Sequence, residues 1–275
     1  MVYNITTMLK KRRSYIQIAL NSSLEEAGTI ISRLPRNNRI LIEAGTPLIK
    51  QYGSEGIRFI KQTYKNHLLG LSIMEPMTKP NNLGDLNKLL KMLIKPQKPP
   101  DDFQREVSGS EEEGEDLYPY VVADLKTMDR GKTEVRLAAE AGADAAIALG
   151  HAPIETLESF VKNCAELGLD SMIDMMNVEN PITTLRVMRN KPTVVILHRG
   201  VDETEFNREK QIPYHDIQRI KGSLDILVAV AGGDTPREVQ RAIFNDADIV
   251  IVWKEFLHSN QETTDLAYEF LKQIK

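Results

Sequence analysis

One rhythm constrains this chain more than any other feature: short apolar, β-branched runs recur along it, with helix-patterned segments between them. The runs read as strands at Tyr15–Leu20, Arg39–Ala44, Tyr120–Asp124, Ala145–Leu149, Ser171–Met175, Thr193–His198, Asp225–Ala231 and Asp248–Trp253. The segments between them carry helix start signals, as at Thr235-Pro236, which suits an N-cap followed by a first turn. Alternating β and α elements predict a parallel sheet, and eight repeats predict an α/β fold of the closed (β/α)8 TIM-barrel type, one domain over residues 1–275. An open doubly wound sheet is the alternative. It calls for a glycine-rich first turn, and Asn21-Ser22-Ser23 is not one.

One interval breaks the rhythm. Most strand starts lie about 22 to 32 residues apart, but about 80 separate the second from the third. An insertion over about residues 66–118 is therefore expected between the second helix and the third strand. Leu83, Leu86, Leu89, Leu90, Leu93 and Ile94 line one helical face within it, and Pro-rich and acidic stretches follow as flexible linker. This connection enters a strand from its N-terminal side, opposite the usual catalytic end, which points to packing instead of chemistry.

Composition narrows the classes of function. The net charge of −4 gives no footing for nucleic acid, and Lys10-Lys11-Arg12-Arg13 is too short for a nucleic-acid tail. No apolar run approaches the roughly 20 residues of a membrane span. The single cysteine, Cys164, cannot form an intrachain disulfide, which fits a reducing compartment, so a cytoplasmic protein without a membrane or nucleic-acid partner is expected.

Polar groups concentrate where the strands end. Tyr120-Val121-Val122 runs into Ala123-Asp124-Leu125-Lys126-Thr127-Met128-Asp129, placing two carboxylates and an ammonium at the mouth of an apolar strand. An ordinary ion pair is the bland account of an Asp-x-Lys, but burying three ionisable groups costs several kcal/mol unless something offsets it. Glu43 ends the second strand, and with Asp124 it offers two oxygen ligands to Mg²⁺, which commonly takes one or two carboxylates and completes its shell with water and substrate. Lys126 adds positive charge beside that pair. His198, at the sixth strand end, suits acid–base work near neutral pH, against the bland account of a hydrogen-bonded core histidine. Gly232 and Gly233 follow the seventh strand and open onto a helix, a place where backbone N–H groups can close on phosphate.

These segments resemble the 3-hexulose-6-phosphate synthase and 3-keto-L-gulonate-6-phosphate decarboxylase group of the orotidine-5′-phosphate decarboxylase superfamily. The likeness rests on Ile42-Glu43-Ala44-Gly45-Thr46-Pro47, Asp124-Leu125-Lys126-Thr127-Met128-Asp129, Ile173-Asp174-Met175-Met176-Asn177, His198-Arg199-Gly200-Val201-Asp202 and Ala231-Gly232-Gly233. It implies a barrel, a homodimer, and Mg²⁺ on Glu43 and Asp124. It also implies catalytic roles for Lys126 and His198 on an enediolate, with Asp129 reaching the neighbouring subunit's site. Asn21, Thr46, Asp174, Asp202, Gly232, Gly233 and Lys254 fall at positions expected to contact a small phosphorylated sugar. Two positions depart from the group: Asn21 replaces an aspartate at the first strand end, and Trp253-Lys254 replaces a glycine-containing pair at the eighth.

The expected activity is a Mg²⁺-dependent aldehyde-lyase reaction joining formaldehyde to ribulose 5-phosphate. A sister enzyme using the same enediolate chemistry on another substrate, or a barrel retained only for binding or regulation, are the alternatives.

Overall fold

The structure is a computed structural model describing residues 9–71, 117–207, 209, 211–233, 235–253 and 263–274. Eight parallel strands form a closed barrel in sequence order, β1 (Tyr15–Leu20), β2 (Ile40–Ala44), β3 (Val121–Thr127), β4 (Ala145–Leu149), β5 (Asp170–Asp174), β6 (Val194–His198), β7 (Leu227–Ala231) and β8 (Ile249–Val252). Closure is made by β8 against β1, with Ile16 opposite Val250 and Ile18 opposite Val252. A closed barrel leaves no strand edge to solvent.

Strand alternation sorts the side chains into two layers. On β1 the residues Ile16, Ile18 and Leu20 face outward into one continuous core with Ala27, Ile30 and Ile31 of helix α1 (Leu24–Arg33). Tyr15 and Ala19 face inward, meeting Leu41, Val122, Ile147, Ile196, Ala229 and Ile251 inside the barrel. Each fully buried aliphatic side chain contributes roughly 1.5–3 kcal/mol, so the two layers together fix the register of every strand. A slip by one residue exchanges them.

Among the described residues the helices follow the strand rhythm with two additions. After β2 come two helices, α2 (Thr46–Tyr52) and α3 (Ser54–Leu68), where one was expected. Helix α3 runs through residues 66–68, so the start of the expected insertion is corrected to beyond Leu68. That helix is held by its buried face of Ile57, Ile60 and Tyr64, whose hydroxyl donates to the Ile40 carbonyl at 2.9 Å. The leucine-striped helix and acidic linker expected farther into the insertion lie outside the described residues. α4 (Gly131–Glu140), α5 (Ile154–Leu167) and α6 (Pro181–Val187) follow β3, β4 and β5. A pair, α7 (Val201–Phe206) and α8 (Tyr214–Lys221), follows β6. Helix α9 (Pro236–Phe244) starts as expected: Thr235 accepts from the Glu238 N–H while the Glu238 side chain returns to the Thr235 N–H. Helix α10 (Thr263–Gln273) packs on α9 and α1. Among the described residues no helix is long and apolar enough to cross a membrane.

Candidate active site

The inward column of each strand ends in the residue it presents to a cavity of about 410 Å³ at the C-terminal mouth of the barrel. Its lining includes Asn21, Glu43, Thr46, Asp124, Lys126, Asp174, His198, Arg199, Gly232 and Trp253. Side chains from 21 to 253 thus meet because each strand stops at the same level, the arrangement that puts chemistry at this end of such barrels.

Asp174 is the hub. Its carboxylate is inaccessible to solvent, and Oδ2 accepts from Lys126 Nζ at 2.5 Å and from His198 Nδ1 at 2.8 Å. Oδ1 accepts from the Met176 N–H at 2.9 Å. Burial alone pushes a carboxyl upward, but His198 and then Lys126 outweigh it and hold Asp174 well below the ordinary range. The same exchange acts on the partners. Desolvation pulls His198 down, yet Asp174, and more weakly Asp124, leave its affinity for a proton raised. Lys126 is likewise desolvated but raised by Asp124, Asp174 and Glu43. Because a carboxylate only accepts, Nδ1 of His198 carries the hydrogen, and Nε2 is the nitrogen left for proton transfer.

The other two acids are less well served. Asp124 Oδ2 accepts from Thr46 Oγ1 at 2.8 Å and lies 3.2 Å from Lys126 Nζ. Asp124 Oδ1 is buried and takes no hydrogen bond among the described residues. Glu43 is 5% exposed and is pushed up to about 7, by desolvation first and the nearby Asp124 second, against the opposing pull of Lys126. This is a region short of positive charge. Among the described residues no three His, Cys, Asp or Glu side chains converge into a protein-only metal cage. Two carboxylates with an orphaned inner oxygen instead fit a hard cation that keeps water and substrate oxygens, as Mg²⁺ does.

Backbone geometry is adjusted to aim these groups. Lys126 has φ 48°, in the left-handed region that side chains other than glycine rarely adopt, within a register shift of the β3–β4 ladder between Ala123 and Thr127. Gly45 gives way to Asn21, since a Cβ there would come within 1.9 Å of the Asn21 side-chain oxygen. Gly232, at φ 95°, would drive a Cβ to 2.3 Å from the Arg199 carbonyl. Arg199 Nη2 donates to the Gly232 carbonyl at 3.1 Å, so the ends of β6 and β7 are stitched together at the cavity wall.

Of the residues singled out from sequence, the cavity gathers Glu43, Asp124, Lys126, His198, Asn21, Thr46, Asp174 and Gly232. Gly233 is buried outside the cavity lining, packed near Glu238. Asp129 and Asp202 are exposed and do not line the cavity. Lys254 lies outside the described residues. Of the residues expected to meet substrate, Asp174 accepts from Lys126 and His198, and Thr46 donates to Asp124. The His151 ring bonds the Asn177 carbonyl at 2.8 Å. Sequence reasoning gives no role to Arg199, or to Gln17, which donates to Glu43 Oε2 at 2.5 Å. A signal for Gln17 does exist: it is the polar residue in an inward column otherwise filled by Tyr15 and Ala19.

Solved structures similar to this one share the barrel. 3-Hexulose-6-phosphate synthase from Salmonella typhimurium aligns at a TM-score of 0.69 and 21% identity, over 94% of this chain and 98% of that one. KGPDC from Streptococcus mutans aligns at a TM-score of 0.63 and 18% identity, over 96% of this chain and 98% of that one. Among curated proteins, the bifunctional enzyme Fae/Hps of Methanothrix thermoacetophila is 33% identical over 263 residues, and that of Methanocella arvoryzae 31% over 265. Each alignment takes in 95% of this chain but 53% of the relative, so the chain spans about half the length of the curated relatives it matches. The orotidine 5′-phosphate decarboxylase / HUMPS family model matches residues 112–263, which carry six of the eight strands and the Asp124, Lys126, Asp174 and His198 cluster. The chain belongs to that family.

Proposed function

We propose that this chain is a Mg²⁺-dependent carbon–carbon lyase of the 3-hexulose-6-phosphate synthase type, joining formaldehyde to ribulose 5-phosphate. One observation carries the reading: a single Asp174 oxygen holds both Lys126 and His198 beside two underserved acids, Glu43 and Asp124. The Fae/Hps relatives and the fold shared with a hexulose-phosphate synthase support the same class.

Glu43 and Asp124 hold the metal in this reading. Mg²⁺, when bound there, polarises the substrate carbonyl and makes the adjacent C–H bond more acidic. His198 Nε2, with Nδ1–H fixed on Asp174, removes the proton from C1 of ribulose 5-phosphate. The Lys126 ammonium stands beside the oxygen where negative charge develops, the kind of preset charge that usually supplies the largest catalytic contribution. The resulting enediolate carbon attacks formaldehyde, forming one C–C bond, and His198 returns its proton to the new alkoxide. Gly232 and Arg199 bound the side of the cavity where the phosphate is seated. The exposed Asp129 gains a role if it enters the site of a second copy, which makes a homodimer part of the proposal, with the cytoplasm as its compartment.

A second reading is favoured by Trp253, whose ring packs against the inner-barrel cluster and lines the cavity. In it the same enediolate chemistry serves a substrate with a flat or apolar part. The test is to incubate the chain with Mg²⁺ and ribulose 5-phosphate, with and without formaldehyde, in heavy water. Deuterium exchange at C1 together with hexulose phosphate formation is expected; metal binding with neither exchange nor product favours the second reading.

A further inference from the structure

Gln17 sits where a barrel of this kind has every reason to place a hydrocarbon. It lies on β1 between Tyr15 and Ala19 of the inward column, is fully buried, and pairs in register with Leu41 on one side and Ile251 on the other. A buried amide without full hydrogen bonding weakens the fold. Gln17 bears such a cost, since its Oε1 is buried with no hydrogen bond among the described residues. Its Nε2 donates to Glu43 Oε2 at 2.5 Å. The opposite acid is treated alike: Thr46 Oγ1 donates to Asp124 Oδ2. In both carboxylates a neutral side chain fixes one oxygen by a hydrogen bond.

We infer that Gln17 is a positioning residue that fixes the Glu43 carboxylate from beneath, so that its remaining oxygen is directed at a divalent cation shared with Asp124. The inference rests on the metal reading of the preceding section. An amide serves this purpose better than an acid or a hydroxyl. It donates without adding charge to a site already crowded with carboxylates, and its length spans the one layer that separates position 17 from Glu43. A carboxylate held at one oxygen loses less rotamer freedom on binding a cation, and fixing a ligand from behind is how neighbouring groups commonly raise metal affinity, with losses of roughly 10- to 100-fold when they are removed.

The experiment uses Gln17→Met, which keeps length and volume but cannot donate, with Gln17→Leu as a second variant should the first fold poorly. Mg²⁺ affinity is measured by calorimetry, thermal stability without metal, and kcat and KM for the synthase reaction. The expected result is a Tm equal to or above wild type, Mg²⁺ affinity lowered about tenfold, and kcat lowered with KM for ribulose 5-phosphate little changed. A Tm lowered by several degrees with Mg²⁺ affinity unchanged makes Gln17 a packing residue and overturns the inference alone. A wild type that binds no Mg²⁺ overturns the metal reading itself and this inference with it, so the two failures are distinguishable.

Discussion

The two ends of this barrel both bury acids, and they treat them differently. At the N-terminal end, Asp144 accepts from the Val121 N–H at 2.7 Å, from Lys61 at 2.5 Å and from the Tyr118 hydroxyl at 2.7 Å. Asp248 accepts from the Val228 N–H and Lys221, each at 2.8 Å, and Asp170 from the Tyr120 hydroxyl at 2.6 Å. Each of these acids clamps the start of a strand or the residue before it. At the C-terminal end the acids crowd one another instead, one carboxylate oxygen has no hydrogen bond among the described residues, and Glu43 is pushed toward neutrality. Satisfied charge marks the end that holds the fold together. Unsatisfied charge marks the end that is built to meet something else.

The sharpest way to break this contrast is at Lys126. Lys126→Met should lower kcat by about 10³-fold, roughly 4 kcal/mol of barrier, because it removes the cation beside the developing oxyanion. Circular dichroism should still report a folded barrel. A loss below about tenfold would remove Lys126 from the chemistry.

Asp144→Ala should do the reverse. It strands a backbone N–H, a lysine and a hydroxyl, costing about 3 kcal/mol of stability in denaturant unfolding, with the lysine's partial exposure already discounted. The specific activity of the remaining folded protein should match wild type; if it falls with stability, the two ends are not separable.

The pH dependence of stability sharpens the contrast further. Glu43 is raised from 4.5 to about 7, so between those values the folded chain holds a proton that the unfolded chain has released. Stability of the metal-free protein should therefore fall as pH rises through this window, by on the order of 3 kcal/mol from Glu43. His198, also raised, acts in the same direction above its unfolded value near 6.5. Asp174, lowered, contributes stability above its unfolded value that is lost under strongly acid conditions. Glu43→Gln should flatten the decline, and added Mg²⁺ should do so too. A wild-type curve that rises from about pH 5 to 7 would refute the assignment.

The smallest effect concerns the substrate wall. Trp253→Gly with Lys254→Arg and Asn21→Asp should raise hexulose-phosphate synthase activity at least about tenfold, or roughly 1.4 kcal/mol of transition-state stabilisation. A wild type already turning over briskly, with no gain in the variant, would show that these positions do not limit the reaction.

How much of this can be read beforehand differs between the same two levels of structure. The strands at Tyr15–Leu20 and Ala145–Leu149 coincide with expectation residue for residue, and the others differ mainly at their ends, because apolar runs bounded by polar residues are a local signal. Glu43, Asp124, Lys126 and His198 are also legible, since a charged residue closing an apolar strand stands out along the chain. The hub is not. Asp174 meets Lys126 and His198, 48 and 24 residues away, and no periodicity records which side chains a closed barrel brings face to face. Thr46 reads as part of a turn, and its bond to Asp124 spans 78 residues. Gln17 escapes notice because one polar residue in a strand of six does not disturb an apolar pattern.

The register shift in β3 has a mechanical consequence. From Ala123 to Thr127 the strand advances four residues while its neighbour advances only two, from Ala146 to Ala148. The ladder to β4 grips β3 before and after this stretch but not along it, so Asp124 and Lys126 are held there by other bonds: Thr46 donates to the Asp124 carbonyl and carboxylate, and Lys126 donates to Asp174. The consequence is a division of labour: strand pairing holds the barrel wall, while side chains from other strand ends set the aim of the two charges, as guy lines set a mast.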